Sequence, residues 1–376
     1  MKVSVVHSLA DIKPEQWDGL LTLQQPFLSH TFLYGLERTG CVGAGTGWAP
    51  AHIVVLDENN SLQAAMPGWL KQHSRGEYVF DQAWAEGAYQ AGIAYYPKWL
   101  SAVPFSPITG PRVFGRSAAI ELLLKELVNL PKLAGLSSWH INFTNSDSNT
   151  YLSQDPLWLL RHDCQFHWRN QNYQSFDDFL ALLTSDRRKK IRQERRKVAL
   201  LDLSFEWCAG DQLSPEIISQ VYDCYNNTYA VRGQLPYLTP EFFSLLCQQM
   251  GQFVRVLLVR RQQRVIAMAL FIVADNTLYG RYWGALEDVP LLHFEVCFYR
   301  GIEYAISQGL SCFDPGAQGE HKLIRGFEPV LTNSWHRFQH PGLQQAVADF
   351  LQRERIGVER YQAAALAACP YKKTGV

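Results

Sequence analysis

The chain has no C-x-x-C pair, no excess charge of either sign, and no stretch reaching the roughly 18 apolar residues of a membrane span. Each absence removes a class. The eight cysteines, at 41, 164, 208, 224, 247, 297, 312 and 369, are scattered, which fits reduced, mostly buried thiols better than a disulfide frame or a zinc cluster. No cysteine carries a local nucleophile signature. Met1 to Trp17 interrupts its apolar residues with Ser4, His7, Ser8 and Asp11, unlike a secretion signal. The expected compartment is the cytoplasm, with no integral membrane segment. Lys plus Arg (35) equal Asp plus Glu (35), so there is no whole-molecule field for nucleic acid or anionic membrane and only local patches remain to consider. Also missing are G-x-x-x-x-G-K-[ST], H-E-x-x-H and G-x-S-x-G, the marks of nucleotide hydrolysis, zincin proteolysis and α/β-hydrolase chemistry. His293-Phe-Glu295 has the H-x-E spacing of zinc deaminases, but no P-C-x-x-C follows.

What is present is a 376-residue chain, 47% hydrophobic, long enough for two domains, which we place at 1–165 and 166–376. β-like runs at Ala51–Leu56, Ser61–Lys71 and Gly76–Phe80 find counterparts at Phe253–Val259, Val265–Val273 and Leu278–Trp283. Each set leads to an apolar-periodic helix and one more strand: Ser117–Leu130 then Ser137–Phe143, and Leu292–Gln308 then Leu310–Asp314. This is a coarse duplication at a spacing of about two hundred residues, far beyond a solenoid repeat. It predicts a mixed α/β (α+β) fold, with helices packed on a mixed sheet in each half.

Three segments lie outside the repeat. Asp81 to Arg116, rich in aromatics and prolines, reads as a long functional loop whose rings wall a pocket, or equally as a small satellite core. Residues 186–197 carry eight basic side chains and no proline or glycine, predicting a helix whose Arg188, Arg192, Arg195 and Arg196 share one side, either gripping phosphates or simply solvated. Pro341 to Cys369 predicts a structural amphipathic helix.

Chemistry concentrates between Phe313 and Pro329. Gly316 and Gly319 permit close backbone approach, Glu320 and His321 are adjacent titratable groups, and Lys322 and Arg325 add positive charge. The alternative is a solvated strand-to-helix turn. His73 with Glu77, His293 with Glu295, and Glu320 with His321 offer six potential metal ligands, but such pairs more often make hydrogen bonds or transfer protons, so no metal is expected. Arg112-Val-Phe-Gly-Arg-Ser117 approximates the Arg/Gln-x-x-Gly-x-Gly/Ala pyrophosphate loop of acetyltransferases, making Arg112, Gly115 and Arg116 the donor-phosphate candidates. The corresponding second-half connection, Gly284 to His293, holds Glu287 and Asp288, which repel a pyrophosphate.

His73-Ser-Arg-Gly-Glu-Tyr-Val-Phe-Asp81, Tyr95-Tyr-Pro-Lys98, Val103-Pro-Phe-Ser-Pro-Ile-Thr-Gly-Pro-Arg112 and Gly316-Ala-Gln-Gly-Glu-His-Lys-Leu-Ile-Arg-Gly-Phe327 resemble the FemAB-like family of predicted N-acyltransferases. The resemblance implies two tandem GNAT-like (acyl-CoA N-acyltransferase) domains. It implies transfer of an acyl or aminoacyl group, from acyl-CoA or aminoacyl-tRNA, to a small amine or a peptidoglycan precursor. Amine attack needs a proton acceptor and stabilisation of an oxyanion. The expected base is Glu320 or His321, with Gly316, Gln318, Gly319 and Lys322 organising the acceptor or oxyanion. His73, Glu77, Asp81, Tyr96 and Lys98 are expected to line the substrate pocket from the first domain, and Arg281, Trp283, His293, Glu295 and Arg325 to contact substrate from the second. A non-catalytic precursor-binding protein is the competing reading, and a metal-dependent hydrolase the least favoured.

Overall fold

The computed structural model describes residues 1–372 apart from 22, 23, 131, 132, 134 and 318. Two compact units emerge: Met1–Asp163 with Leu331–Arg360, and Cys164–Val330 with Tyr361–Val376. The chain thus changes unit at 163/164, but an uninterrupted second domain over 166–376 is corrected. Most of the C-terminal helix returns to the N-terminal unit, because Leu343, Val347 and Leu351 bury their apolar stripe against Trp84, Ala88, Tyr95 and Phe338.

The N-terminal unit contains β1 (Lys2–Val6), β2 (Trp48–Pro50), β3 (His52–Leu56), β4 (Leu62–Met66), β5 (Trp69–Lys71), β6 (Lys98–Ser101), β7 (Phe114–Gly115) and β8 (Ser138–Asn142). One sheet runs β1-β3-β4-β7, all antiparallel. Its β4 is buried at every position, so the apolar run in the sequence reflects two covered faces rather than alternation. Helix α1 (Ser117–Leu127) supplies one cover by turning Ala119, Ile120, Leu123 and Leu127 onto Val5, Ile53, Val55 and Ala64. The other sheet joins β2, β5, β6 and β8, with β6 and β8 parallel, and Ser334–Phe338 pairs antiparallel along β8. That register sets His140 opposite His336. Their Nδ1 atoms lie 2.7 Å apart, one donating and one accepting, while the Nε2 atoms meet the hydroxyls of Ser138 (2.8 Å) and Ser334 (2.9 Å). Burial holds both imidazoles far below their usual pKa, hence neutral.

Two local expectations fail here. Gly76–Phe80 is a turn, with Gly76 and Tyr78 at positive φ, because Glu77 is drawn inward by lysines instead of alternating along a strand. The 81–116 segment is no extended loop: it folds a helix at Gln82–Gln90 together with β6 and β7.

In the C-terminal unit the strands are β9 (Leu159–Arg169, shared with the N-terminal unit), β10 (Ser204–Ala209), β11 (Val254–Arg261), β12 (Arg264–Ala274), β13 (Thr277–Ala285) and β14 (Cys312–Asp314). The sheet order is β10-β11-β12-β13-β14-β9, antiparallel except for β13 beside β14. The basic segment forms helix α2 (Ser185–Ala199) as expected, turning Ile191, Glu194 and Val198 inward. Helix α3 (Pro215–Ala230), begun by the Ser214 cap and a proline in its first turn, lies directly on β13. A Cβ at Gly284 would stand 1.9 Å from the Cys224 carbonyl oxygen, so only glycine permits that approach. The expected helix over Leu292–Gln308 has a wider turn at Glu295–Tyr299 between Leu292–Phe294 and Arg300–Ser307.

Candidate functional site

β13 pairs with β14 only from Thr277 to Tyr279; after Asp314 the chain leaves the sheet at Pro315, while β13 continues to Ala285 against β12 alone. A cavity of about 290 Å³ opens where the two strands part. Its walls come from Ala269–Phe271 of β12, Gly280–Trp283 of β13, His293, Cys297 and Phe298 of the interrupted helix, and Pro315, Ala317, His321 and Lys322 of the returning chain.

Backbone irregularity shapes it. Leu270 faces Tyr282 but Phe271 faces Gly280, leaving Arg281 as the extra residue of a bulge. The bulge sends the Arg281 guanidinium to Asp314, 3.3 Å away. A Cβ on Gly280 would press on the Phe313 ring at 3.3 Å, so glycine keeps this corner open.

Asp314 organises the floor. Burial pushes its carboxyl up, but Arg281, His167, the Gly316 N–H and Lys322 together hold it below its usual range, so it is ionised. Gly316, at φ +87°, donates its N–H to Asp314 Oδ1 at 2.7 Å. Lys322 donates from Nζ to the carbonyls of Gly316 (2.6 Å) and Ala317 (3.2 Å), and burial, partly opposed by Asp314, brings it down to about 8. The loop is therefore clamped between a carboxylate that takes its N–H and an ammonium that takes its carbonyls.

Above this floor stand two imidazoles. His293 is pushed down to about 4 by burial, then by His321, Arg325 and Lys322; His321 is lowered by burial, Lys322 and Arg325. Both are neutral at pH 7. Their ring centroids are 6.3 Å apart, with Phe298 5.3 Å from His293 and 5.5 Å from His321. The His321 ring lies over Gly319, where a Cβ would be 2.3 Å from Cε1. The short 3₁₀ turn Glu320–Arg325 is anchored from behind. Buried Arg325 donates to the His321 carbonyl (2.8 Å), to the Tyr299 hydroxyl (3.0 Å) and to Glu194 of α2 (3.0 Å), with its guanidinium over the Phe294 ring.

Of the expected second-domain residues, Arg281, Trp283, His293, His321 and Lys322 line this cavity, Gly316 and Gly319 shape its loop, and Arg325 positions it. Gln318 lies outside the described residues. Glu320 is exposed and accepts a hydrogen bond from Tyr361 at 3.2 Å instead of facing the cavity. Glu295 is corrected to an ion-pair anchor: one oxygen meets Arg195 and Arg300, the other Arg195, each at 3.1 Å. Asp314 was missed, although an Asp-Pro-Gly sequence ending a strand was the available signal.

The expected phosphate contact at Arg112 is corrected as well. Its guanidinium is buried and donates to the carbonyls of Asn142, Ile108 and Pro111, so it faces backbone inside the unit rather than an anion at the surface. Gly115 is fixed in β7 beside Ala64, and Arg116 is exposed at the start of α1.

In the N-terminal unit, Glu77, Asp81, Tyr96 and Lys98 do converge, but on one another. Lys98 donates to Ser74 (2.8 Å), Glu77 (2.8 Å) and Asp81 (2.5 Å); Tyr95 donates to Asp81, and Tyr96 meets Ser74, each at 2.7 Å. Lys71 sits 3.5 Å over the Trp48 ring and 3.8 Å from Glu77. Burial lifts Glu77 to about 7, opposed by Lys98 and Lys71 but reinforced by Asp81, and lowers Lys71 to about 6, opposed by Glu77 and Asp81 but reinforced by Lys98. Neither lysine has exposed surface, so these groups face each other rather than a ligand. His73 holds the Thr46 carbonyl and the Arg75 N–H in a local turn.

Among the described residues no three His, Cys, Asp or Glu side chains converge as metal ligands, and no helix is long and apolar enough to cross a membrane. A family model described as FemAB-like, peptidoglycan biosynthesis/recognition, matches residues 8–373. No curated protein matches the sequence. The C-terminal domain of a putative lysylphosphatidylglycerol synthetase from Agrobacterium fabrum aligns with a TM-score of 0.53 at 11% identity, over 91% of this chain and 96% of that one. FemX aligns with a TM-score of 0.52 at 11% identity, over 93% and 100%. A conserved protein of unknown function from Bacteroides thetaiotaomicron gives 0.52 at 9%, over 89% and 99%. At such identities the likeness shows the fold alone, two units of mixed, mostly antiparallel sheets flanked by helices.

Proposed function

The chain belongs to the FemAB-like family, and from that premise we propose that it is an N-acyltransferase whose chemistry takes place in the cavity between β13 and β14. One observation carries the reading: two neutral imidazoles and a buried lysine face a single void where the parted strands leave backbone accessible.

In this reading the acceptor arrives as an ammonium and gives a proton to a ring nitrogen of His321, or of His293 deeper in the cavity. A neutral imidazole is the form that can take it. The freed amine attacks the acyl carbonyl, and the developing oxyanion is met by the Lys322 ammonium beside it. That attack forms the C–N bond; collapse of the tetrahedral intermediate then breaks the C–S or C–O bond to the donor, the imidazolium proton going to the leaving thiolate or alkoxide and the second N–H proton of the acylated nitrogen passing to the other imidazole or to solvent. Asp314 and Arg325 touch no reacting atom; they hold the loop and the His321 turn in place.

The donor is an acyl thioester such as acyl-CoA, or an aminoacyl-tRNA, and the acceptor a small amine or an amine-bearing peptidoglycan precursor. Glu287 and Asp288 in the connection after β13 weigh against a pyrophosphate seated in the second unit, although Glu287 is paired with Arg261. The test is direct: mass spectrometry of products from a matrix of acyl-CoA or aminoacyl-tRNA donors and amine acceptors, alongside any ligand retained through purification. Transfer that disappears when both imidazoles are replaced supports the reading. Tight precursor binding with no product from any donor would replace it with a recognition role.

A further inference from the structure

We infer that the outward face of α2 is a docking surface for an anionic phospholipid membrane. At 100° per residue the inward positions are Ile191, Glu194 and Val198; exposed Lys189 and Arg196 lie on the opposite arc, and exposed Lys190 and Lys197 lie on one flank. The helix ends in Leu200 and Leu201, 78% and 38% exposed; Leu200 continues the same arc. Arg192, on the other flank, is offset by exposed Asp177 at 2.8 Å, and exposed Asp186 in the first turn offsets one further charge, so Lys189, Lys190, Arg196 and Lys197 leave the face net positive. The whole chain is neutral, which makes this a local asymmetry rather than a general surplus.

Cations alone would suit a nucleic acid equally well. The leucines decide between the two: a phosphate backbone makes no use of exposed aliphatic side chains, whereas a bilayer interface takes basic residues at its headgroups and leucines at the acyl boundary. The inward face of the same helix reaches the cavity through Glu194, Arg325 and the His321 carbonyl, so docking engages the element that supports the proposed base.

Flotation of the full chain with vesicles of phosphatidylcholine, with and without phosphatidylglycerol, tests this. Binding is expected only to the phosphatidylglycerol vesicles, weakening as salt rises. The K189E/K190E/R196E/K197E variant should lose at least about 100-fold in partitioning, and L200S/L201S several-fold with its salt dependence kept. Circular dichroism melts confirm that both variants fold, and transfer assays in solution should be unchanged. Equal partitioning to the two vesicle types, none to either, or a charge reversal that abolishes binding to total tRNA while leaving vesicle partitioning intact would overturn the assignment.

Discussion

In the N-terminal unit Lys98 spends its three N–H donors on Ser74, Glu77 and Asp81, whereas in the C-terminal unit Lys322 gives two bonds to the carbonyls of a glycine loop and faces an open cavity. Both lysines are buried beside acids. Where the acids are in direct contact they hold Lys98 above its ordinary range against the opposing effect of burial; where the lysine meets carbonyls and Asp314 stands further off, burial wins and Lys322 falls to about 8. The same residue types therefore make a sealed structural knot in one unit and a chemically responsive group in the other. Exposure to a void separates the two, not composition.

The largest effect expected from breaking this contrast is on stability. Replacing Lys98 by Met leaves Glu77 and Asp81 buried without their shared cation and should destabilise the protein by about 3–5 kcal/mol, read from urea unfolding. A loss below about 1 kcal/mol would mean the knot is not structural. In the other unit the H293Q/H321Q double variant should lower kcat/KM for transfer by about 100-fold, or ~2.7 kcal/mol, with little change in the urea midpoint. A fall in stability matching the fall in rate would erase the distinction between the units.

Acid should act on both units, and in the N-terminal one through its buried histidine pair. His140 and His336 titrate well below 6.5 when folded and near 6.5 when unfolded, so the unfolded chain takes up protons first as pH falls. The contribution of these two histidines is then level above about pH 6.5 and declines below it, by up to about 1.4 kcal/mol per pH unit for each. H336Q should make the decline shallower; an unchanged slope would assign acid sensitivity elsewhere. The smallest effect belongs to Glu320, which faces solvent and Tyr361: E320Q should alter transfer less than about two-fold, and a loss like that of the imidazoles would return the base role to the carboxylate.

Long periodic segments announced themselves. The α2 helix follows from a basic run without proline or glycine, the β11–β13 meander and the α1 helix from apolar spacing and turn residues, and the cavity residues Arg281, Trp283, His293, His321 and Lys322 all stand out in the sequence. What did not show was whatever depends on a distant partner. Glu77 looked like part of a strand and a pocket until Lys98 claimed it, and Arg112 looked like an anion ligand until three carbonyls enclosed it. Glu295 paired with His293 in sequence but with Arg195 in space. The bulge at Arg281 and the wide helical turn at Glu295–Tyr299 arise from packing, and no local pattern encodes them.

His140 finds its partner 196 residues further along the chain, because the strand beside β8 is synthesised only after nearly all of the C-terminal unit. On the ribosome, the first half to emerge is consequently not the first half that can be finished. Its β8 edge stays unpaired until residues 334–338 appear, a strand edge open to mispairing throughout that interval. Translation speed through the second half thus sets how long the nascent N-terminal sheet must be shielded.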